Sequence, residues 1–169
     1  MLPFSSFLPR PPAHPVVFDG NALDSLLAKL MDGHVSYEGN AKCGDPSSKQ
    51  PEDIKKLDCS GLIEYLFYWI TNPHVDISSG SSHQEDWFSQ RYPWVKYQDA
   101  GRCDGMLRIA FRHRGRNPHR HVWFILNGRT IESTPKGPGS GPTRFGWHDR
   151  VSEAHSCFLL GTVYPLRFT

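Results

Sequence analysis

Apolar residues recur along this chain with three different rhythms. Leu23, Leu26, Leu27 and Leu30 follow the 3, 1, 3 spacing of a single helix face. They predict a short helix over roughly Ala22 to Met31, capped by Asp19 or Asn21 and ended by Asp32-Gly33. Residues 38–56 are polar and rich in Gly, Pro, Asn and Ser, and read as a loop. From Ser60 to Ile70 nearly every position is apolar. A helix of that composition has to be buried on most of its sides, and Pro73 terminates it. A third helix is expected to begin near Ser82, where Ser82-His83-Gln84-Glu85 has a capping-box pattern. Trp87, Phe88 and Tyr92 supply its apolar contacts, and Pro93 stops it.

Beyond that point the rhythm changes. Met106 to Phe111, Val122 to Leu126, Thr130 to Glu132 and Cys157 to Tyr164 are rich in β-branched and aromatic residues and read as strands. Asn127-Gly128, between two of them, is a strong hairpin signal. Helices first and an antiparallel sheet second make an α+β fold. No internal repeat is visible. Residues 1–17 carry prolines at 3, 9, 11, 12 and 15, which forbid a helix and predict an extended arm. That arm is either a strap on the domain or a recognition tail, and residues 18–169 form a single domain.

Composition narrows the classes. With 169 residues the chain is one domain long, and 38% hydrophobic and 21% charged residues describe a globular protein. Lys and Arg number 19 against 17 Asp and Glu, a balance that gives no bulk-charge reason to expect nucleic acid. No apolar run reaches the roughly 20 residues of a membrane helix, and the N-terminus lacks the apolar stretch of a secretory signal. The expectation is synthesis in the cytoplasm, with any action in the periplasm or cell wall depending on other machinery. Nothing demands more than a monomer. The four cysteines, Cys43, Cys59, Cys103 and Cys157, form no C-x-x-C pair and no dense disulfide framework. A single Cys43–Cys103 or Cys103–Cys157 bridge stays open.

Cys59 stands between a turn-rich loop and a buried helix. There the positive end of the helix dipole and the first backbone N–H groups favour thiolate over thiol. Asp58 is placed to cap those N–H groups, and Ser60-Gly61 lets the backbone pass close to a substrate. Taken alone, Cys59 reads as readily as a small buried apolar side chain. His121 changes the balance. It opens a strand after a polar loop, and the Asn127-Gly128 hairpin returns Glu132 beside it. A base with a carboxylate on the paired strand is the base-plus-orienter arrangement of nucleophilic catalysis. His113, His119 and His121 cluster, but no third ligand stands at a suitable spacing, so no metal is expected. No cofactor is expected either.

Leu57-Asp58-Cys59-Ser60-Gly61-Leu62-Ile63-Glu64-Tyr65 resembles the Asp-Cys-Ser-Gly-hydrophobic signature of the NlpC-type cell-wall cysteine peptidases. Arg120-His121-Val122-Trp123-Phe124-Ile125 looks like that family's His-Val strand. Its third, polar residue falls on Glu132, where histidine is frequent. Tyr37 is similar to the tyrosine that helps line the oxyanion site, and Ser60 joins it as a substrate-side residue. Asp104-Gly105-Met106-Leu107 departs from the family's Gly-Asp-Leu strand start, and the loop from Glu38 to Lys56 is longer than usual. The resemblance implies a papain-like fold with the nucleophile at a helix start. It implies Cys59 as nucleophile, His121 as base and Glu132 as orienter, with the backbone N–H of Cys59 and the Tyr37 hydroxyl on the oxyanion.

The implied substrate is the peptidoglycan stem peptide, cut as a D-glutamyl endopeptidase. The alternatives are an N-acetylmuramoyl amidase, a cysteine acyltransferase or deamidase on the same scaffold, and a non-catalytic binding module. An injected antibacterial toxin with an immunity or delivery protein as partner, and a phage component, both fit a chain without a secretory signal. Arg108, Arg112, Arg114, Arg116 and Arg120 read either as a solvated loop or as a guide for carboxylate-rich ligands. Thr134 to Trp147 is too rich in Gly and Pro for regular structure and is expected to wall the cleft. Trp94, Trp123 and Trp147 are candidates for sugar stacking, with core packing the expected role of at least two.

Overall fold

A computed structural model describes residues 16–114, 117–135, 140–147 and 154–166, with backbone alone at 114 and 117–119. Residues 1–15 of the expected arm lie outside the described residues. Val17 opens strand β1 (Val17–Asp19), which runs directly into helix α1 (Gly20–Asp32). Asp19 caps α1, its Oδ1 accepting the Ala22 N–H at 3.0 Å. Leu23, Leu27 and Leu30 form the buried face. The expected loop holds two short 3-10 turns, Pro46–Ser48 and Pro51–Asp53.

Helix α2 (Cys59–Ile70) begins at the cysteine itself, one residue before the expected start, with Asp58 as the expected cap. Its Leu62, Ile63, Tyr65, Leu66, Phe67 and Ile70 are all buried. Strand β2 (Thr71–Asn72) follows at once. Helix α3 (Ser81–Ser89) departs from expectation at both ends. Its N-cap is Gly80, at φ 90, and no side chain caps it. Ser82 therefore lies inside the first turn, where its hydroxyl cannot take the capping role. A one-turn helix, α4 (Tyr97–Ala100), precedes the main strands.

Those strands are β3 (Met106–Arg114), β4 (Asn117–Leu126), β5 (Arg129–Thr134), β6 (Gly141–Thr143) and β7 (Ser156–Tyr164). β4 starts four residues upstream of His121, where a loop was expected, and β6 lies in the expected loop after Glu132. Of that Gly/Pro-rich segment, residues 136–139 lie outside the described residues. The sheet order is β2-β1-β7-β3-β4-β5-β6. Its pairings are antiparallel except β1 on β7, which is parallel, so the sheet is mixed rather than purely antiparallel. The hairpin between β4 and β5 turns at Asn127 and Gly128, both at positive φ, as an Asn-Gly turn requires.

Alternation along the strands builds two cores, one on each face of the sheet. Leu107, Ile109, Phe111, Val122, Phe124 and Ile131 face α1, α2 and α3. Phe67 of α2 centres that core, 5.3 Å from Phe88 and 5.9 Å from Phe18 between ring centroids. On the opposite face Ala110, Trp123, Ile125 and Cys157 pack with Ala100 and Trp147. Trp123 and Trp147 are thus core residues, as expected, while Trp94 is 56% exposed. All four cysteines are free thiols, with Cys103 exposed and the other three buried.

Candidate active site

Asp58 organises the start of α2. Its Oδ1 accepts the Gly61 N–H at 2.7 Å and the Ser60 hydroxyl at 3.1 Å, while Oδ2 pairs with the Lys42 ammonium. The Asp58 N–H donates to the Ala41 carbonyl at 2.9 Å. The residue is the structural cap that its position predicts. Gly61 is required by this contact with the preceding loop: a Cβ there would stand 2.5 Å from the Ala41 carbonyl oxygen. Ser60 is buried with its hydroxyl turned onto Asp58, so what it offers the sulfur is its backbone N–H. Gln84 of α3 holds the Ser60 carbonyl at 2.9 Å, and Ser133 of β5 holds the Leu57 carbonyl at 2.8 Å. The nucleophile candidate is therefore tied to three separate elements.

The β4–β5 pairing extends from Leu126 back to Phe124, after which β5 pairs with β6 from Glu132 to Thr134. At this parting Cys59 meets β4. Its thiol donates to the Arg120 carbonyl at 3.6 Å, and the Val122 N–H also reaches the sulfur. The sulfur thus contacts the backbone on both sides of His121. The imidazole shares a face with Trp123, 5.4 Å away between ring centroids. There its Nε2 lies 3.0 Å from Oε1 of Glu132. Both side chains are buried, at 2% and 0% exposure. In so dry a setting the carboxylate fixes the orientation of the ring.

Burial pushes the Cys59 thiol above its ordinary range, and the negative charge of Asp58 adds to that. The N–H groups of Val122 and Ser60 and the Lys42 ammonium pull the other way. The helix start was expected to favour the thiolate outright. Desolvation opposes it, because burial costs the anion more than the neutral thiol. The resting sulfur is a hydrogen-bond donor.

A cleft of about 640 Å³ opens in front of Cys59. Tyr37, Asn40 and Lys42 form one wall; Ser79 to His83 and Arg120 form the other. Sequence reasoning missed how Arg120 is held. Its N–H donates to the Ser81 hydroxyl at 2.9 Å, and its Nη1 reaches Glu85 at 3.0 Å. Glu85 also receives His113 and the Ser156 hydroxyl, each at 3.0 Å. No periodicity in the sequence marks Glu85 for this, since its partners come from three strands. Among the described residues, Arg120 is the member of the basic stretch that lines the cleft. Arg108 is buried and bound through both terminal nitrogens to Asp104, at 2.8 and 2.6 Å, which holds that carboxyl below its usual range. It is not part of a guide. The side chains of Arg114, Arg116 and His119 lie outside the described residues.

A capped cysteine opening a buried helix, packed on a sheet whose hairpin carries a buried His–Glu pair, is a papain-like α+β arrangement. No protein-family model and no curated protein matches the chain. Among solved structures it is similar to a lipoprotein-like protein of the NLP/P60 family from Staphylococcus aureus subsp. aureus Mu50, with a TM-score of 0.51 at 16% identity. The likeness covers 88% of this chain and 44% of the other, so the chain spans less than half the length of that neighbour. At that identity the two share a fold. No helix among the described residues is long and apolar enough to cross a membrane.

Proposed function

We propose that this chain is a cysteine hydrolase that cuts an amide bond in the stem peptide of peptidoglycan. The observation that carries the reading is the docking of the Cys59 sulfur against β4 on both sides of His121, whose Nε2 is held by the buried Glu132. With Nε2 engaged, proton exchange with the sulfur runs through Nδ1. His121 takes the thiol proton as Cys59 attacks the amide carbonyl, and Glu132 stabilises the imidazolium that forms. The backbone N–H of Cys59, at the first position of α2, and the Tyr37 hydroxyl receive the developing oxyanion. His121 then gives its proton to the leaving amine. Water, deprotonated by the same imidazole, cleaves the thioester and restores the thiol.

A D-glutamyl endopeptidase is the favoured activity, ahead of an amidase at the sugar–peptide junction. Lys42 and Arg120 on the cleft walls suit a substrate rich in carboxylates. Delivery by other machinery, as an injected toxin or a phage component, completes the reading. The test is digestion of purified sacculi followed by mass spectrometry of the muropeptides. New free amines are expected with the wild type and none with Cys59→Ala. Identical profiles for the two would end the cell-wall reading. If Cys59 nevertheless kept a His121-dependent reactivity, the chemistry would pass to acyl transfer or deamidation on another substrate.

A further inference from the structure

A second cavity, of about 260 Å³, lies at the hairpin end of β4 and shares no lining residue with the Cys59 cleft. Leu126, in its wall, is five residues along β4 from His121, about 17 Å at strand rise. Leu126, Val163 and Pro165 give it an apolar side, and Asp24, Arg129 and Arg144 supply its charges. Among the described residues, two guanidinium groups against one carboxylate make the lining net positive.

Arg144 is partly buried, and its Nε is fully buried without a hydrogen-bond partner among the described residues. The Nε of Arg108 is in the same position, but its two terminal nitrogens are anchored on Asp104. Arg144 has no such anchor: neither it nor Arg129 donates a side-chain hydrogen bond to any described residue. Burial and the nearby charge of Arg129 act together against the protonated form of Arg144, and Asp24 offsets them in part. A guanidinium does not lose its proton in water, so the cost remains until a counter-charge enters. Arg129 and Arg144 both line the cavity, and the planar fork of a guanidinium is the geometry that binds an oxyanion through two oxygens.

We infer that Arg129 and Arg144 form an oxyanion-binding site, for a carboxylate or a phosphate, separate from the Cys59 cleft. The bound group lies between the two guanidiniums, and its organic part, where it has one, lies against Leu126, Val163 and Pro165. Asp24 sets the selectivity, because it disfavours ligands carrying more negative charge than the two arginines balance.

Thermal unfolding and titration calorimetry of the full chain test this, with sodium phosphate and sodium acetate at ionic strength held constant by chloride. A saturable rise in Tm is expected with at least one of the two anions. Phosphate alone assigns a tetrahedral ligand, and acetate alone a carboxylate. Arg144→Gln is expected to weaken the apparent Kd at least 10-fold, and so is Arg129→Gln. The exposed Arg129 can change without disturbing the core, so that variant decides the matter if Arg144→Gln fails to fold. Absence of saturable binding would overturn the proposal. So would binding that both variants retain, which would move the anion to the Cys59 cleft.

Discussion

Cys59 at the first turn of α2 and Cys157 inside β7 are both buried, yet their surroundings have little in common. Cys157 lies among Ala110, Trp123 and Ile125, and burial pushes its thiol up to about 12. Cys59 is also pushed up by burial, but it touches the Arg120 carbonyl, two backbone N–H groups and the field of Lys42. Burial favours the protonated form of both sulfurs. Cys157 also has groups that oppose the burial, the Arg108 charge and the Phe158 N–H, but of the two sulfurs only that of Cys59 lies against β4 on both sides of a histidine. What separates the two surroundings is the polar contact made at a helix start, and not exposure.

The sharpest way to break this contrast is substitution. Cys59→Ala is expected to lower turnover of muropeptides by on the order of 10³-fold or more, whereas Cys157→Ala leaves kcat close to wild type. Comparable losses in the two variants would mean that the first lost its fold and not its nucleophile, which circular dichroism would reveal. A smaller effect is expected from Glu132→Gln. The amide keeps the shape and a hydrogen bond but not the charge that stabilises the imidazolium, so kcat falls by roughly 10²-fold with KM little changed. An unchanged kcat would remove Glu132 from the orienting role.

Alkylation by iodoacetamide refines the comparison. Because the Cys59 pKa is raised, the spontaneous thiolate fraction grows only as pH climbs, so its labelling is expected to accelerate through the alkaline range. His121→Ala is expected to slow labelling most near neutrality, where the base matters. Cys43 and Cys157 stay unlabelled until the protein unfolds, and the exposed Cys103 provides an internal reference. Equal, slow labelling of Cys59 and Cys157 at every pH would erase the distinction. The smallest effect concerns stability. A thiol whose pKa rises from 9.0 to about 12 binds its proton more tightly when folded, so its contribution is complete below pH 9. That contribution is lost as pH rises from 9 toward 12, with a slope of about 1.4 kcal/mol per unit. Urea denaturation at pH 8, 9 and 10 should show a shallower decline in Cys157→Ala.

Much of this architecture is legible along the chain because it depends on neighbours in sequence. The buried run of α2, the cap at Asp58 and the Asn127-Gly128 turn are local features, and all three stand where the residues place them. The parallel β1–β7 pairing is different, since it joins Phe18 to Val163 across nearly the whole chain. No periodicity in a three-residue strand announces such a partner. The short β6 was hidden in the same way, by Gly and Pro that here serve a close approach. At Gly141 a Cβ would meet the Val35 carbonyl oxygen at 2.0 Å.

Within the candidate site the sequence by itself determined which residues are the candidates: a cysteine behind an aspartate cap, and a histidine leading into a hairpin that returns a glutamate. Spacing of 2 along a strand and 3.6 along a helix was enough for that, because those periods decide which way a side chain points. Only the tertiary structure decided how the groups are charged and held. Lys42 is engaged by Asp58, Arg120 by Glu85, and Arg108 lies away from the cleft on Asp104. The resting thiol of Cys59 is likewise a tertiary result. Protonation depends on the water excluded and the dipoles gathered around an atom, and those come from residues far apart in sequence.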